Sequence, residues 1–182
     1  MLIYDDGGTG SSRDFSCYSP SPSSHRHYIV GHFGINAWYG GAKPATYVLS
    51  VTGENPDTVF QRPTGYVQIW KDSGSGGSKD GSFWSVICPP GFGSLSDVCQ
   101  LGYQKPSSLA VWCINENYLA NEVRMNWIWD DTGSGALSDV DIMGGNSPWT
   151  REMISATNHR GLKKSLQTIK ATFQGKLSSA LQ

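Results

Sequence analysis

An eleven-residue phrase occurs three times in this chain, each time with an aromatic residue at its start and an aspartate at its end. The copies run over residues 4–14, 70–80 and 129–139, and they share the form aromatic-x-Asp-x-Gly-[Ser/Thr]-Gly-x-x-x-Asp. They begin 66 and then 59 residues apart. Recurrence at a similar spacing indicates an internal repeat, with each copy forming one structural unit. We call these segments the first, second and third glycine loops.

The runs flanking the loops predict β-hairpins. Residues 66–70 and 82–87, on either side of the second loop, are rich in aromatic and β-branched residues. Two such runs around a glycine-rich connection are typical of a hairpin. Three hairpin units that cannot bury their apolar faces alone are expected to pack around a pseudo-threefold axis. The sequence therefore predicts one all-β domain over residues 1–182, with repeats at about 1–55, 56–119 and 120–175.

Two architectures suit units of this size, the β-prism with three four-stranded sheets and the β-trefoil. A trefoil repeat is usually shorter and less dominated by glycine at one hairpin, so we expect the β-prism. The sequence is compatible with two structures for the tail. Residues 161–181 carry apolar residues at helical spacing, whereas residues 168–173 alternate as in a strand. A short C-terminal helix and a closing strand that pairs with the truncated start of repeat one are both compatible with this pattern.

Composition and charge exclude several classes of protein. The net charge is −1, only 16% of residues are charged, and the pI is about 6.4, so no nucleic-acid-binding surface is indicated. The sequence has no apolar run long enough for a transmembrane helix, and its first residues do not resemble a secretory signal. We expect a protein of the cytoplasm, or one exported without a signal. The oligomeric state is not predicted.

The four cysteines follow no metal-binding spacing. We expect Cys17, Cys88, Cys99 and Cys113 to be reduced and mostly buried, with a disulfide as the alternative. No cofactor or metal site is predicted. Calcium at the dense acidic residues of the third repeat is a weaker alternative. No nucleophile elbow, zinc motif or phosphate loop occurs, so the protein is not expected to be an enzyme.

The second repeat resembles the vacuolar-protein-sorting-sixty-two-like family. The likeness is carried by residues 69–76, by Asp80 and residues 83–84, and by residues 89–98, 103–107 and 111–114. It extends over most of residues 1–145 and weakens in the tail. Because the family's molecular function is poorly defined, this resemblance implies a repeated β fold more than an activity.

The second half of each phrase is similar to a loop of the jacalin-related lectins, where Gly-x-x-x-Asp beside a glycine-rich loop binds a monosaccharide. The resemblance implies glycans or glycoconjugates as partners. The corresponding glycines and aspartates are Gly10, Asp14, Gly76, Asp80, Gly135 and Asp139. Aromatic residues near the loops could stack on the apolar face of a sugar, and the candidates are Tyr18, Trp84 and Trp149.

The two aspartates of each phrase are predicted to have different roles. Those that close the phrase could accept hydroxyl donors from a sugar, or they could stabilise the hairpin. We call them the outer aspartates: Asp14, Asp80 and Asp139. The other aspartate of each phrase lies two positions before the first shared glycine. It is expected to accept hydrogen bonds from turn amides, as in Asx-turns. We call these the inner aspartates: Asp6, Asp72 and Asp131.

Two functions remain in competition. The first is a non-enzymatic, lectin-like module with up to three equivalent monosaccharide sites. The second is a membrane-binding or lipid-binding adaptor, or a pore-forming accessory module, in which a lysine-bearing amphipathic tail helix contacts an anionic surface. The second rests on the tail, the trafficking-type family resemblance and a likeness in shape to β-prism modules that recognise acidic lipids.

Overall fold

A computed structural model describes residues 1–38, 47–122, 125–145, 153–156, 166–170 and 177–181, which are nearly all strand and loop. The strands of the predicted first repeat are β1 (Leu2–Asp5), β2 (Ser16–Tyr18), β3 (Phe33–Ile35) and β4 (Tyr47–Val51). Those of the second are β5 (Phe60–Gln61), β6 (Gly65–Lys71), β7 (Gly81–Ile87), β8 (Phe92–Gly93), β9 (Val98–Leu101) and β10 (Cys113–Asn115). The remaining strands are β11 (Leu119–Glu122), β12 (Met125–Asp130), β13 (Asp141–Gly145), β14 (Met153–Ala156), β15 (Leu166–Ile169) and β16 (Leu177–Leu181).

Each glycine loop joins the first two strands of an antiparallel three-stranded sheet. The sheets have the orders β1-β2-β3, β6-β7-β9 and β12-β13-β14. In all three, the register shifts immediately before the aromatic residue that opens the loop, at Leu2/Tyr4, Gln68/Trp70 and Trp127/Trp129. A bulge adds one residue and re-aims the side chain that follows it. Each repeated phrase is therefore preceded by a bulge that the sequence alone did not reveal.

The opening aromatic residues form the first core. Tyr4, Trp70 and Trp129 are at most 2% exposed. They pack with Phe15 and Phe83 in one cluster, in which Phe15 stacks on Trp129 at a centroid distance of 4.8 Å and Trp70 on Phe83 at 4.9 Å. Since these rings come from all three repeats, the core belongs to no single repeat.

A second core lies beneath three smaller sheets, β16-β4, β5-β10-β8 and β11-β15. Two short helical turns lead into β5 and β11: helix α1 (Pro56–Val59) and a 3-10 turn (Glu116–Tyr118). Both begin after an asparagine, Asn55 or Asn115, whose side chain accepts an amide two residues ahead. These matching caps are the local reason why the chain turns in the same way at both places.

The tail is built of strands where the structure describes it. Strand β15 pairs with β11, and β16 pairs with β4 over its whole length, with Ser179 opposite Leu49. The predicted helix is therefore wrong for residues 166–169 and 177–181. The alternative of a closing strand is correct, but β16 pairs with the last strand of repeat one instead of its start. In this pairing β16 takes the place that β5 and β11 have in the other two repeats.

The expectation of reduced cysteines is wrong. Cys17 and Cys99 form one disulfide, and Cys88 and Cys113 form another. The first links β2 to β9, and therefore joins two repeats. Both pairs lie far apart in sequence, with separations of 82 and 25 residues, so local spacing could not show them.

Candidate functional site

The inner aspartates hold the glycine loops closed. Each accepts a hydrogen bond through Oδ1 from the backbone amide nine residues ahead, across the loop. The donors are Phe15 to Asp6 at 2.8 Å, Gly81 to Asp72 at 3.0 Å and Val140 to Asp131 at 2.9 Å. All three carboxylates are buried. Their predicted structural role is correct, but the partner lies at the far end of the loop instead of within a local Asx-turn.

Between these anchors the three loops repeat the same backbone path. The two shared glycines of every loop have φ between 73° and 93°, a left-handed conformation that glycine adopts without steric cost. The hydroxyl between them accepts the amide two residues ahead, from Ser11 to Thr9, from Gly77 to Ser75 and from Ala136 to Ser134. The glycine and hydroxyl positions of the phrase are thus required by the turn.

The loops gather at one end of the molecule and bond to one another in a ring. Ser78 of the second loop donates its amide to Gly7 of the first at 2.9 Å. The first loop donates to the third in the same way, and the third to the second. These two bonds are Ser12 to Thr132 at 2.9 Å and Leu137 to Ser73 at 3.0 Å. Each loop is donor to one neighbour and acceptor to the other, which is the pattern that a cyclic arrangement of three requires.

The opening aromatic residues donate hydrogen bonds around the ring in the opposite direction, from the second loop to the third, from the third to the first and from the first to the second. Trp70 donates its indole Nε1–H to Asp131 Oδ2 at 3.0 Å and to Ser138 O at 2.7 Å. Trp129 donates to the equivalent carbonyl of the first loop, Arg13 O, at 2.9 Å. The Tyr4 hydroxyl lies 3.4 Å from Asp72 Oδ2. The inner aspartates are therefore committed to scaffold contacts within and between loops.

The outer aspartates lie on the surface of this end. All three are exposed, at the same position of each loop. Asp80 accepts a hydrogen bond from the Tyr103 hydroxyl at 3.1 Å, and the same hydroxyl lies 2.9 Å from Asp72 Oδ1. Tyr103 thus connects an inner to an outer aspartate of one loop, and Lys71 lies 5.3 Å from its ring centre. A carboxylate, a phenol and an ammonium group therefore share this surface.

The predicted stacking residues need correction. Tyr18 and Trp84 are only 5% and 8% exposed, so their rings cannot offer a face to a ligand. They lie on the packed faces of β2 and β7, where Tyr18 stacks on Phe33 at 5.7 Å. Trp149 lies outside the described residues.

The aromatic residue beside an outer aspartate is Tyr103, which sequence reasoning missed. Its counterpart in the first repeat is Trp38, since Ser82 Oγ bonds to the carbonyl before Tyr103 and Ser16 Oγ to the carbonyl before Trp38. Trp38 is 53% exposed. The available signal was an aromatic residue three positions after the residue of the third strand that pairs with Ser16 or Ser82, and it can be recognised only once that strand is placed.

Basic residues border the loops. Lys79 pairs with the buried Asp5 of the neighbouring loop at 2.5 Å. Arg13, at the equivalent position of the first loop, lies over the Trp127 ring at 4.4 Å. Each cation therefore reaches from its own loop to a residue of a neighbouring repeat, and the outer aspartates Asp14 and Asp80 lie directly after these positions in the chain.

Two cavities of about 410 and 240 Å³ border Tyr28. Neither is lined by an outer aspartate. The outer aspartates are instead exposed at the surface of their loops. In the acidic stretch of the third repeat, Asp130 and Asp131 already accept loop amides from Thr132 and Val140, so these two oxygens do not form a ready calcium cage.

A family model described as "Vacuolar protein sorting-associated protein 62" matches residues 4–171. The chain belongs to this family. The predicted resemblance is thereby confirmed, and the match reaches beyond residue 145 into the tail. No curated protein matches the chain.

Among solved structures, the chain is similar to the crystal structure of GNIP1Aa from Chromobacterium piscinae, with a TM-score of 0.78 and 26% sequence identity. The match covers 94% of this chain and 36% of GNIP1Aa, so the chain spans about a third of that protein. The predicted β-prism is confirmed. No helix of the described residues is long and apolar enough to cross a membrane.

The buried carboxyl of Asp6 provides a test of the loop scaffold. Burial raises the pKa of Asp6 to about 6, the charge of Asp14 adds to the rise, and the Phe15 amide opposes it. The folded state then binds this proton more tightly than the unfolded chain does. The stabilisation that this bound proton provides is therefore lost as pH rises from about 4 to about 6.

We expect Asp6→Asn to remove this decline. The difference in the free energy of unfolding, variant minus wild type, should become more positive between pH 4 and pH 7, by on the order of 1 to 3 kcal/mol. Urea denaturation at each pH measures it, with Asp57→Asn at an exposed position as the control. A difference that does not vary with pH would contradict the assignment.

Proposed function

We propose that this β-prism is a non-enzymatic carbohydrate-binding module whose sites are the outer aspartates of the three glycine loops. One observation carries the proposal. The inner aspartates are buried and used by the scaffold, whereas the outer aspartate of every loop is exposed at the same position. The scaffold thus presents three equivalent carboxylates on one end of the molecule.

The chemistry of a monosaccharide suits such a surface. An exposed carboxylate can accept two hydroxyl donors, and these charge-assisted bonds are stronger than neutral ones. The glycine that precedes each outer aspartate by four residues carries no side chain, and at Gly76 even an added Cβ would meet nothing within 4 Å. A sugar can therefore approach the backbone here. The ring of Tyr103, or of Trp38 in the first repeat, supplies an apolar face.

Such an open site binds weakly by itself. A dissociation constant of about 1 mM corresponds to roughly −4 kcal/mol. Three sites held on one rigid end gain avidity of about 100-fold or more on a multivalent glycan surface. The proposal therefore concerns clustered glycans, and single sugars are expected to bind weakly.

The test compares wild type with Asp14→Asn, Asp80→Asn and Asp139→Asn, singly and together, on a glycan array and by titration with monosaccharides followed by NMR. Each single variant should retain most monosaccharide binding because two sites remain, but should lower avidity on the array several-fold. The triple variant should lose both. The matched control is the double variant Asp57→Asn with Glu116→Gln, which removes exposed carboxylates from elsewhere.

Either of two results would overturn the proposal in part or whole. Glycan binding that is unchanged in the triple variant would reject these residues as the site. An absence of binding to any glycan by the folded wild-type protein would reject the function.

The membrane or lipid alternative loses its main support. It relied on an amphipathic tail helix, and the described tail segments are the paired strands β15 and β16. The two disulfides also bear on location, because such bonds persist mainly in oxidising surroundings. Our proposal therefore places the module outside the reducing cytoplasm while it binds glycans.

A further inference from the structure

The disulfide between the first and second repeats has a histidine beside it. Cys17, Cys99 and His32 place their ligand atoms within 4.8 Å of one another. The two cysteines are 0% exposed and His32 is 4% exposed. A buried group of two sulfur atoms and one imidazole nitrogen has the composition of a zinc site once the sulfur atoms are separated.

The distances already approach those of a metal site. His32 Nδ1 lies 3.4 Å from Cys99 Sγ. In a tetrahedral zinc site with Zn–S of about 2.3 Å and Zn–N of about 2.0 Å, nitrogen and sulfur lie about 3.5 Å apart and two sulfurs about 3.8 Å apart. The distance between His32 Nδ1 and Cys99 Sγ therefore needs almost no change, whereas the two sulfur atoms must separate to about 3.8 Å.

The backbone of His32 is held in place by a residue outside the disulfide. The backbone of His32 contacts Ser96 Oγ twice, at 3.1 Å through its amide and at 3.0 Å through its carbonyl. The Cys99 amide lies 3.2 Å from Nδ1 and donates to it, so Nδ1 presents a lone pair and the proton resides on Nε2. A metal would take over this lone pair in competition with one amide hydrogen bond.

We propose that, after reduction, Cys17, Cys99 and His32 bind one Zn²⁺ ion. Charge selects the ion. Two thiolates and a neutral imidazole around Zn²⁺ give a complex of zero net charge, which suits a site packed against apolar core residues, whereas Cu⁺ would leave one uncompensated negative charge. The site thus exists only in the reduced protein, and the disulfide excludes it.

The reaction has two balanced steps. A dithiol reductant transfers two electrons and two protons to the Cys17–Cys99 bond, which breaks to two thiols while the reductant becomes a disulfide. Zn²⁺ then displaces the two thiol protons. Because both cysteines are fully buried, the first step requires local opening of the surrounding strands. The protein would exchange a covalent link between repeats for a metal link on entering reducing surroundings.

The experiment uses the full chain with Cys88→Ser and Cys113→Ser, so that only the candidate thiols remain. After anaerobic reduction with a phosphine, Zn²⁺ is titrated against a chromophoric chelator, and Co²⁺ is used to detect thiolate ligation by its absorption. We expect one ion per chain, a thermal midpoint raised by Zn²⁺ and not by Mg²⁺, and no binding before reduction. His32→Gln should weaken binding at least tenfold, and further replacement of Cys17 and Cys99 by serine should abolish it.

Circular dichroism decides between a folded site and adventitious binding to an unfolded chain. A β-rich spectrum in the reduced, zinc-loaded protein is the expected result. Zinc binding only by a chain that has lost this spectrum would overturn the proposal. Equal affinity in His32→Gln would do so as well, as would a reduced protein that binds no zinc, whether or not it keeps the β-rich spectrum.

Discussion

Replacing Cys17 and Cys99 together by alanine is expected to lower the free energy of unfolding by about 4 to 5 kcal/mol. The bond closes a loop with a sequence separation of 82 residues, and a longer loop removes more entropy from the unfolded chain. It also ties β2 to β9 within the aromatic core, so the first and second repeats separate more easily without it. For a domain of this size the thermal midpoint should fall by roughly 10 °C or more.

The second disulfide provides the matched control. Cys88 and Cys113 lie only 25 residues apart, so their replacement by alanine should cost about 3 to 4 kcal/mol. Urea denaturation of both double variants, with and without reductant, gives the comparison. A larger loss for the Cys88 pair than for the Cys17 pair would contradict the role we assign to the link between repeats.

Asp72→Ala is expected to cost about 3 to 5 kcal/mol. The carboxylate of Asp72 receives the Gly81 amide, the Tyr103 hydroxyl and, at longer range, the Tyr4 hydroxyl. Removing it leaves these donors without that acceptor, and each buried donor left unsatisfied costs about 1 to 3 kcal/mol. Because Tyr4 belongs to the first loop, the damage extends beyond the second loop to the ring of loops.

The comparison that matters is Asp80→Ala in the same loop. Asp80 is exposed, so its loss should change stability by about 0.5 kcal/mol or less while lowering glycan avidity. Asp72→Ala should show the reverse order, with stability affected first. Equal losses of stability in the two variants, measured by urea denaturation, would mean that the outer aspartate is part of the scaffold.

Structures that depend only on residues close together in sequence could be predicted. The glycine loops depend on left-handed glycines and a nearby aspartate, so eleven residues are enough to predict each loop. Contacts between distant segments could not be predicted. The Cys17–Cys99 disulfide and the β4–β16 pairing join parts of the chain whose proximity follows only from the complete sheet arrangement.

The candidate site shows the same division. The exposure of the outer aspartates follows from their place in the phrase. The aromatic neighbour does not, because Tyr103 reaches Asp80 from the end of a different strand. Tyr18 and Trp84 are nearer in sequence, yet each lies four residues after its outer aspartate on a strand whose face is covered. Closeness in sequence therefore failed to predict which aromatic residue lies beside an outer aspartate, because that depends on the sheet register.

The pairing of β16 with β4 also has a consequence for how the protein is made. Leu49 is synthesised 130 residues before its partner Ser179. At about 5 to 20 residues per second, the edge of the first repeat stays open for on the order of ten seconds during synthesis. An unpaired strand edge is a template for association with other chains. The first repeat to be synthesised is therefore the last to be completed, and it is the part of a nascent chain most in need of protection.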